Sequence, residues 1–156
     1  MARGTVVIGL GNPLLRDDGA GIRAARALSR RLQGQADVEV IELYCGGLRL
    51  MEAMVGFERA VLVDAMQSGQ VPAGTVQRFT VADFATTRNL RCAHDTSLDA
   101  ALQLGRQLGL ALPEQIEIWG IEATCLDTFG ESLTRPVALG VRRLIASLGR
   151  SLRSGG

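Results

Sequence analysis

The feature that most constrains the fold of this chain is the alternation of short apolar runs with segments whose apolar residues recur at helical spacing. Continuous apolar runs predict buried strands, because strands covered on both faces lose the alternation of apolar and polar residues. The predicted strands are Thr5–Leu10, Val38–Leu43, Arg59–Val63, Thr75–Val81 and Ile116–Ile121. Helices are predicted from Gly21 to Leu32, at about Leu48–Val55, from Leu98 to Leu108, and from Val137 to Leu152 with Pro136 in its first turn.

Strands that alternate with helices predict an α/β fold. We expect a three-layer α/β/α sandwich around a twisted, mostly parallel sheet of about five strands. The strand from Thr75 follows a short connection without a helix, so it should be antiparallel and lie at an edge. The length of 156 residues fits a single domain over residues 1–156. The small and polar residues 151–156 are expected to fray.

The composition excludes several classes of function. The chain has 17 basic and 16 acidic residues, a net charge of +1, and only 4% aromatic residues. This balance argues against a nucleic-acid partner or an anionic membrane surface. The three cysteines include no C-x-x-C pair, and the apolar run Val6–Leu10 is too short for a signal peptide. No run approaches the ~18 apolar residues of a membrane helix, so we expect a cytoplasmic protein.

Candidate chemistry lies where polar residues follow the predicted strands, because ligands of open α/β sheets bind at the carboxyl ends of the strands. Three places qualify: the segment 11–21, Asp64, and the segment 92–97 that contains His94, the single histidine. Asp18, Asp64 and His94 offer two hard oxygen ligands and one nitrogen. Three protein ligands leave positions open for water or substrate, as in catalytic metal sites.

Structural roles remain open for the same residues. Asp17 is favoured as the N-cap of the following helix, since Asp is among the best capping residues. Asp64 is also able to cap a turn toward Ser68, and His94 to serve as a hydrogen-bonded surface residue. Asp95 or Ser97 is suited to cap the helix at Leu98.

The start Gly9-Leu10-Gly11 has the form of a dinucleotide-binding fingerprint. The third glycine of that motif falls on Leu14, and the paired acids that follow would repel a pyrophosphate. These departures argue against a dinucleotide site, and we expect no separate cofactor-binding residues.

Four motifs, in this order and spacing, resemble the hydrogenase maturation proteases. The first is Gly9-x-Gly11-Asn12-x-Leu14-x-x-Asp17-Asp18-Gly19-x-Gly21. The others are Val61-Leu62-Val63-Asp64-Ala65, His94 ahead of the helix at Leu98, and Gly120-Ile121-Glu122 followed by Leu133-Thr134-x-Pro136-Val137. The resemblance spans nearly the whole chain.

The resemblance implies an endopeptidase that removes a C-terminal extension from the large-subunit precursor of a nickel–iron hydrogenase after nickel insertion. It implies that Asp18, Asp64 and His94 contact the metal and form the catalytic site, with nickel presented by the precursor. Some family members have Glu at the first position, and Asp18 supplies the same carboxylate oxygens. The carboxylates act as base in an aspartic-type reaction, or as ligands in a metal-dependent one, and the sequence does not choose between them.

Two other functions are compatible with parts of the sequence. A nickel-checking maturation chaperone would bind the precursor through the same residues without cutting it. The run Val7-Ile8-Gly9-Leu10-Gly11-Asn12-Pro13 also resembles the start of peptidyl-tRNA hydrolase. That family places a tyrosine and a catalytic histidine soon afterward, whereas this chain has Leu14 to Asp18 there, and its neutral charge does not suit a tRNA substrate.

Overall fold

The computed structural model describes residues 2–86 and 97–154. In chain order the elements are β1 (Arg3–Leu10), α1 (Ala20–Arg31), β2 (Val38–Leu43), α2 (Gly47–Met54), β3 (Phe57–Met66), β4 (Val76–Phe79), α3 (Val81–Thr86), α4 (Leu98–Gln107), β5 (Gln115–Glu122) and α5 (Arg135–Arg153). A 3₁₀ turn, Arg16–Gly19, precedes α1. None of the helices in these described ranges is long and apolar enough to cross a membrane.

The five strands form one sheet in the order β2-β1-β3-β5-β4. β1 pairs in parallel with β2 and β3, and β3 pairs in parallel with β5. β4 lies at the edge and is antiparallel to β5. The connection from β3 to β4 contains no helix, so the chain has no crossover that would make these strands parallel. The predicted mostly parallel sheet with an antiparallel edge strand is confirmed.

Helices cover both faces of the sheet, which confirms the predicted three layers. Val7 and Val61 point toward α1 and α5, whereas Ile8 and Leu62 point toward α2 and α4. All four side chains are at most 1% exposed. Alternate residues of β1 and β3 therefore enter two separate cores, and this accounts for their continuous apolar sequences.

The predicted end of the fourth strand is wrong for a local reason. The fourth strand ends at Phe79 instead of Val81, because Thr80 and Asp83 form a reciprocal cap that starts α3. The Asp83 carboxylate accepts hydrogen bonds from the Thr80 backbone and hydroxyl at 3.2 and 2.8 Å, and the Thr80 hydroxyl accepts one from the Asp83 backbone. At the other end of the chain, α5 continues to Arg153 through residues expected to fray. Leu152 is buried against the core beneath α5, and this burial holds the last turn.

Candidate active site

A crevice forms where β1 and β3 end side by side. The chain leaves β1 toward β2 on one side of the sheet and leaves β3 toward β4 and β5 on the other. Such a reversal of strand order separates the connections that follow the two strands, and ligands of open α/β sheets bind in the resulting gap. Asp18 follows β1, and Asp64 lies near the end of β3.

The 3₁₀ turn presents Asp18 to this crevice. Gly11 has a φ of +134°, and a side chain there would collide with the backbone carbonyl of Asp18. The absence of a side chain lets the turn fold back onto the end of β1. The Asp18 carboxylate accepts a hydrogen bond from the Asn12 backbone at 3.0 Å, and Asn12 in turn accepts one from the Leu14 backbone. These two hydrogen bonds hold the residues on either side of Pro13 in place.

Gly21 brings the first turn of α1 onto the ends of β1 and β3. A Cβ at this position would collide with the backbone carbonyl oxygens of Leu10 and Val63. The helix therefore packs directly over the two strands that carry the candidate acids. This close approach holds the turn with Asp18 near the end of β3.

Asp64 lies within β3, which continues to Met66, and pairs with Gly120 of β5. Burial raises the pKa of the Asp64 carboxyl well above its usual range, and the negative charge of Asp18 raises the pKa further. A hydrogen bond from the Ala65 backbone acts in the opposite direction and is the smallest of the three effects. The residue keeps some exposed surface, and Asp18 lies close enough for its charge to act on the Asp64 carboxyl. Asp18 and Asp64 therefore lie close together at the carboxyl ends of the central strands, as predicted.

The third predicted site residue, His94, falls outside the described residues, as do Cys92 and Asp95. Within residues 2–86 and 97–154, no group of three His, Cys, Asp or Glu side chains is arranged to hold a metal ion. The described part of the crevice thus contributes two acidic side chains, Asp18 and Asp64. Ser97 caps α4, as one of the alternatives predicted, with its hydroxyl accepting a hydrogen bond from the Ala100 backbone at 3.3 Å.

The predicted role of Asp17 as a helix cap is wrong. α1 begins after Gly19 without a side-chain cap. The fully buried Asp17 carboxylate instead accepts hydrogen bonds from the backbones of Thr124, Cys125 and Thr134, and from the Thr134 hydroxyl, at 2.7 to 3.4 Å. These donors belong to the loop after β5, more than 100 residues away. The sequence favoured a local helix cap because residue spacing carries no information about hydrogen-bond partners more than 100 residues away.

Glu122 is a buried carboxylate that sequence reasoning did not place in the site. It ends β5 and is 3% exposed. Its two oxygens accept hydrogen bonds from the Ser68 hydroxyl at 2.9 Å and the Gly69 backbone at 2.8 Å. Glu122 therefore holds the turn that follows Asp64. The Ser68 hydroxyl bonds to Glu122, and not to Asp64, which was the alternative structural role considered for Asp64. An acid at the end of an apolar run, the signal that identified Asp64, was also present at Glu122.

The sequence was compared with protein families and with curated proteins. The family model that describes hydrogenase maturation proteases matches residues 22–150, a range that includes Asp64 and His94 and begins after Asp18. The hydrogenase expression/formation protein HupD of Thiocapsa roseopersicina is 32% identical over 132 residues, which are 82% of this chain and 58% of that protein. HupD of Rhizobium leguminosarum bv. viciae is 29% identical over 97% of this chain and 75% of its own length. The chain thus spans between about half and three quarters of these relatives.

Solved structures give the same result. The hydrogenase maturating endopeptidase HybD from E. coli aligns with a TM-score of 0.81 and 25% identity, covering 97% of this chain and 93% of that one. The [NiFe] hydrogenase maturation protease HybD from Thermococcus kodakarensis aligns with a TM-score of 0.67 and 25% identity, covering 94% and 97%. Because the family model matches residues 22–150 of the 156, and because this fold surrounds paired acids at the ends of β1 and β3, the chain belongs to the hydrogenase maturation protease family.

Proposed function

We propose that this protein is an endopeptidase that removes the C-terminal extension of a nickel-loaded [NiFe] hydrogenase large-subunit precursor. The observation that carries the proposal is the convergence of Asp18 and Asp64 in the crevice between β1 and β3. Membership of the family supports the choice of a hydrogenase large-subunit precursor as the substrate. The near-neutral net charge of +1 also suits a folded protein partner better than a nucleic acid.

In this proposal the nickel belongs to the substrate, and Asp18 and Asp64 contact it. Burial raises the pKa of the Asp64 carboxyl, and repulsion by the Asp18 carboxylate raises it further. A divalent cation between them converts this repulsion into attraction and keeps both acids ionised. We assign the third contact to His94, whose imidazole nitrogen suits nickel better than a further oxygen would. The site would therefore favour a precursor that has already received its metal.

Peptide hydrolysis adds water across the amide bond, so a base must take a proton from the water and the leaving amine must gain one. Asp18 and Asp64 are the described groups placed to do this. An ionised carboxylate accepts the proton from the attacking water, and the same carboxyl then donates it to the nitrogen as the C–N bond breaks. The substrate's nickel polarises the oxygen of the water or of the carbonyl when it lies beside the acids.

We place this reaction in the cytoplasm. Cys45 and Cys125 are free thiols in the structure. Unpaired cysteines persist in reducing compartments, where thiols are kept from forming disulfides.

The function is tested by incubating the protein with precursor that is either nickel-loaded or nickel-free, and then measuring the precursor's intact mass. We expect the mass to fall by that of a C-terminal peptide only in the nickel-loaded sample. Removing nickel before incubation should reduce processing to background. Binding of the loaded precursor without any loss of mass would instead identify a nickel-checking chaperone and would overturn the assignment as a protease.

His94→Ala should lose processing of the nickel-loaded precursor by at least about 100-fold, the lower end of what a positioned acid–base or ligand group contributes. His94→Gln is the matched variant, since it keeps a polar side chain of similar reach without an imidazole. Both should retain the melting temperature of the wild-type protein. Normal processing by His94→Gln would show that hydrogen bonding, and not metal contact, is the role of this residue.

A further inference from the structure

The loop between β5 and α5, residues 123–134, is held rigidly against the turn that carries Asp18. The buried Asp17 carboxylate ties both ends of the loop, through Thr124 and Cys125 at one end and Thr134 at the other. The Asp17 backbone adds a hydrogen bond to the Cys125 carbonyl at 2.9 Å. The residue next to Asp18 thus serves as the anchor of this loop.

The middle of the loop is anchored as well. The Arg16 backbone donates to the Gly130 carbonyl at 2.8 Å, and the Gly130 backbone donates to the Leu14 carbonyl at 2.9 Å, which makes an isolated parallel bridge. The Arg16 guanidinium donates to the Ser132 carbonyl at 3.2 Å. These anchors hold the backbone of the loop at both ends and in the middle, so the points from which its side chains project are set before a partner binds.

The side chain that this loop projects is Phe129, which is 83% exposed. Leu14, whose backbone carbonyl is bonded to the residue after Phe129, is 52% exposed. Large apolar side chains exposed together mark interaction surfaces, and aromatic residues are enriched among those that dominate binding energy. We call Leu14 and Phe129 the apolar pair.

We propose that the apolar pair receives an apolar side chain of the precursor segment that enters the crevice, and so aligns that segment with Asp18 and Asp64. This inference rests on the proposed function. Its occupant follows from continuity with the site, because Leu14 lies four residues before Asp18 on the same braced loop and Phe129 belongs to the loop tied to Asp17. The pair presents no charge, so the complementary group on the precursor is aliphatic or aromatic.

Phe129→Ala tests the inference through binding and turnover measured separately. We expect the Kd and the KM for the nickel-loaded precursor to rise at least about 10-fold, with kcat at saturating precursor within about twofold of wild type. Phe129→Leu, which keeps an apolar side chain, should restore most of the affinity. The control is Leu108→Ala, which removes a 65% exposed apolar side chain at the far end of α4 and should change neither constant.

Several outcomes would overturn the inference while leaving the proposed function intact. An unchanged Kd in Phe129→Ala is one, and a loss of kcat at constant KM is another. A third is a wild-type dimer in sedimentation that becomes monomeric in Phe129→Ala without any change in precursor affinity, which would assign the pair to a second copy of this chain. Failure of the proposed function has a different signature, because the wild-type protein itself would then leave the nickel-loaded precursor uncut.

Discussion

Asp64→Asn should abolish processing of the nickel-loaded precursor while making the free protein more stable at neutral pH. The amide keeps the shape of the carboxyl but has no negative charge to hold a cation and takes no proton from water. The expected loss of rate is at least about 100-fold. The gain in stability follows from the surroundings of Asp64, since burial and the Asp18 charge both oppose its ionisation in the folded protein.

The gain in stability of Asp64→Asn over the wild-type protein should depend on pH in a defined direction. In the unfolded chain an aspartate has a pKa of about 4, and folding raises the pKa of Asp64 well above this. The wild-type protein therefore loses stability as the pH rises from about 4 through the folded-state pKa, because the ionised group is less favourable in the fold. Asp64→Asn lacks this loss, so its advantage in melting temperature should be present at pH 7 and should vanish below about pH 4.

Mass spectrometry of the precursor and thermal melts of the free protein measure the two effects. Asp37→Asn, an exposed aspartate far from the crevice, is the matched control and should alter neither. Undiminished cleavage by Asp64→Asn would remove this residue from the site. A lower melting temperature at neutral pH would show that its carboxylate is a stabilising structural group.

Asp17→Asn should destabilise the protein by about 1.5–3 kcal/mol, the contribution typical of hydrogen bonds to a buried carboxylate. Its side chain is fully buried and accepts hydrogen bonds from four donors of the loop after β5. An amide retains one acceptor oxygen and points an N–H group at the remaining donors, which leaves them unsatisfied. Since domains are stable by only about 5–15 kcal/mol, much of the variant should unfold under mild denaturant.

Urea denaturation measures this loss, and the neighbouring Asp18→Asn is the control. The Asp18 carboxylate accepts its hydrogen bond from the Asn12 backbone, and an amide oxygen is able to accept the same bond. Asp18→Asn should therefore lose processing and keep or raise its denaturation midpoint, because it also removes a charge that repels Asp64. Asp17→Asn should instead lower the denaturation midpoint. Equal midpoints for the two variants would contradict the anchoring role of Asp17.

Much of the fold was predictable from local pattern. The apolar runs of β1 and β3 predicted buried central strands, and the missing helix before β4 predicted its antiparallel direction. The pattern did not predict α3, because it placed Val81 as the last residue of the strand from Thr75, and only the cap between Thr80 and Asp83 turns the chain into a helix. The end of α5 was predicted to within one residue, but the expected fraying from residue 151 overlooked the burial of Leu152, because the residues around it are polar.

The residues of the candidate site were also only partly predictable from the sequence. Asp18 and Asp64 were predictable, since parallel strands place their carboxyl ends at one edge of the sheet. The roles of Asp17, Glu122 and Phe129 were not predicted from the sequence. Each role depends on contacts, or on exposure, set by residues that are distant in the chain.

The sequence by itself determined the order of elements, the three layers and the two acids at the ends of β1 and β3. These depend on periodicity and on the geometry of parallel strands, which act over a few residues. Only the tertiary structure decided the role of Asp17, which anchors the loop after β5 instead of capping α1. Asp17 and Asp18 are identical in type and differ by one position, but the turn of a 3₁₀ helix points one carboxylate into the loop after β5 and the other toward Asp64. That choice depends on contacts more than 100 residues apart in sequence, and local pattern does not contain them.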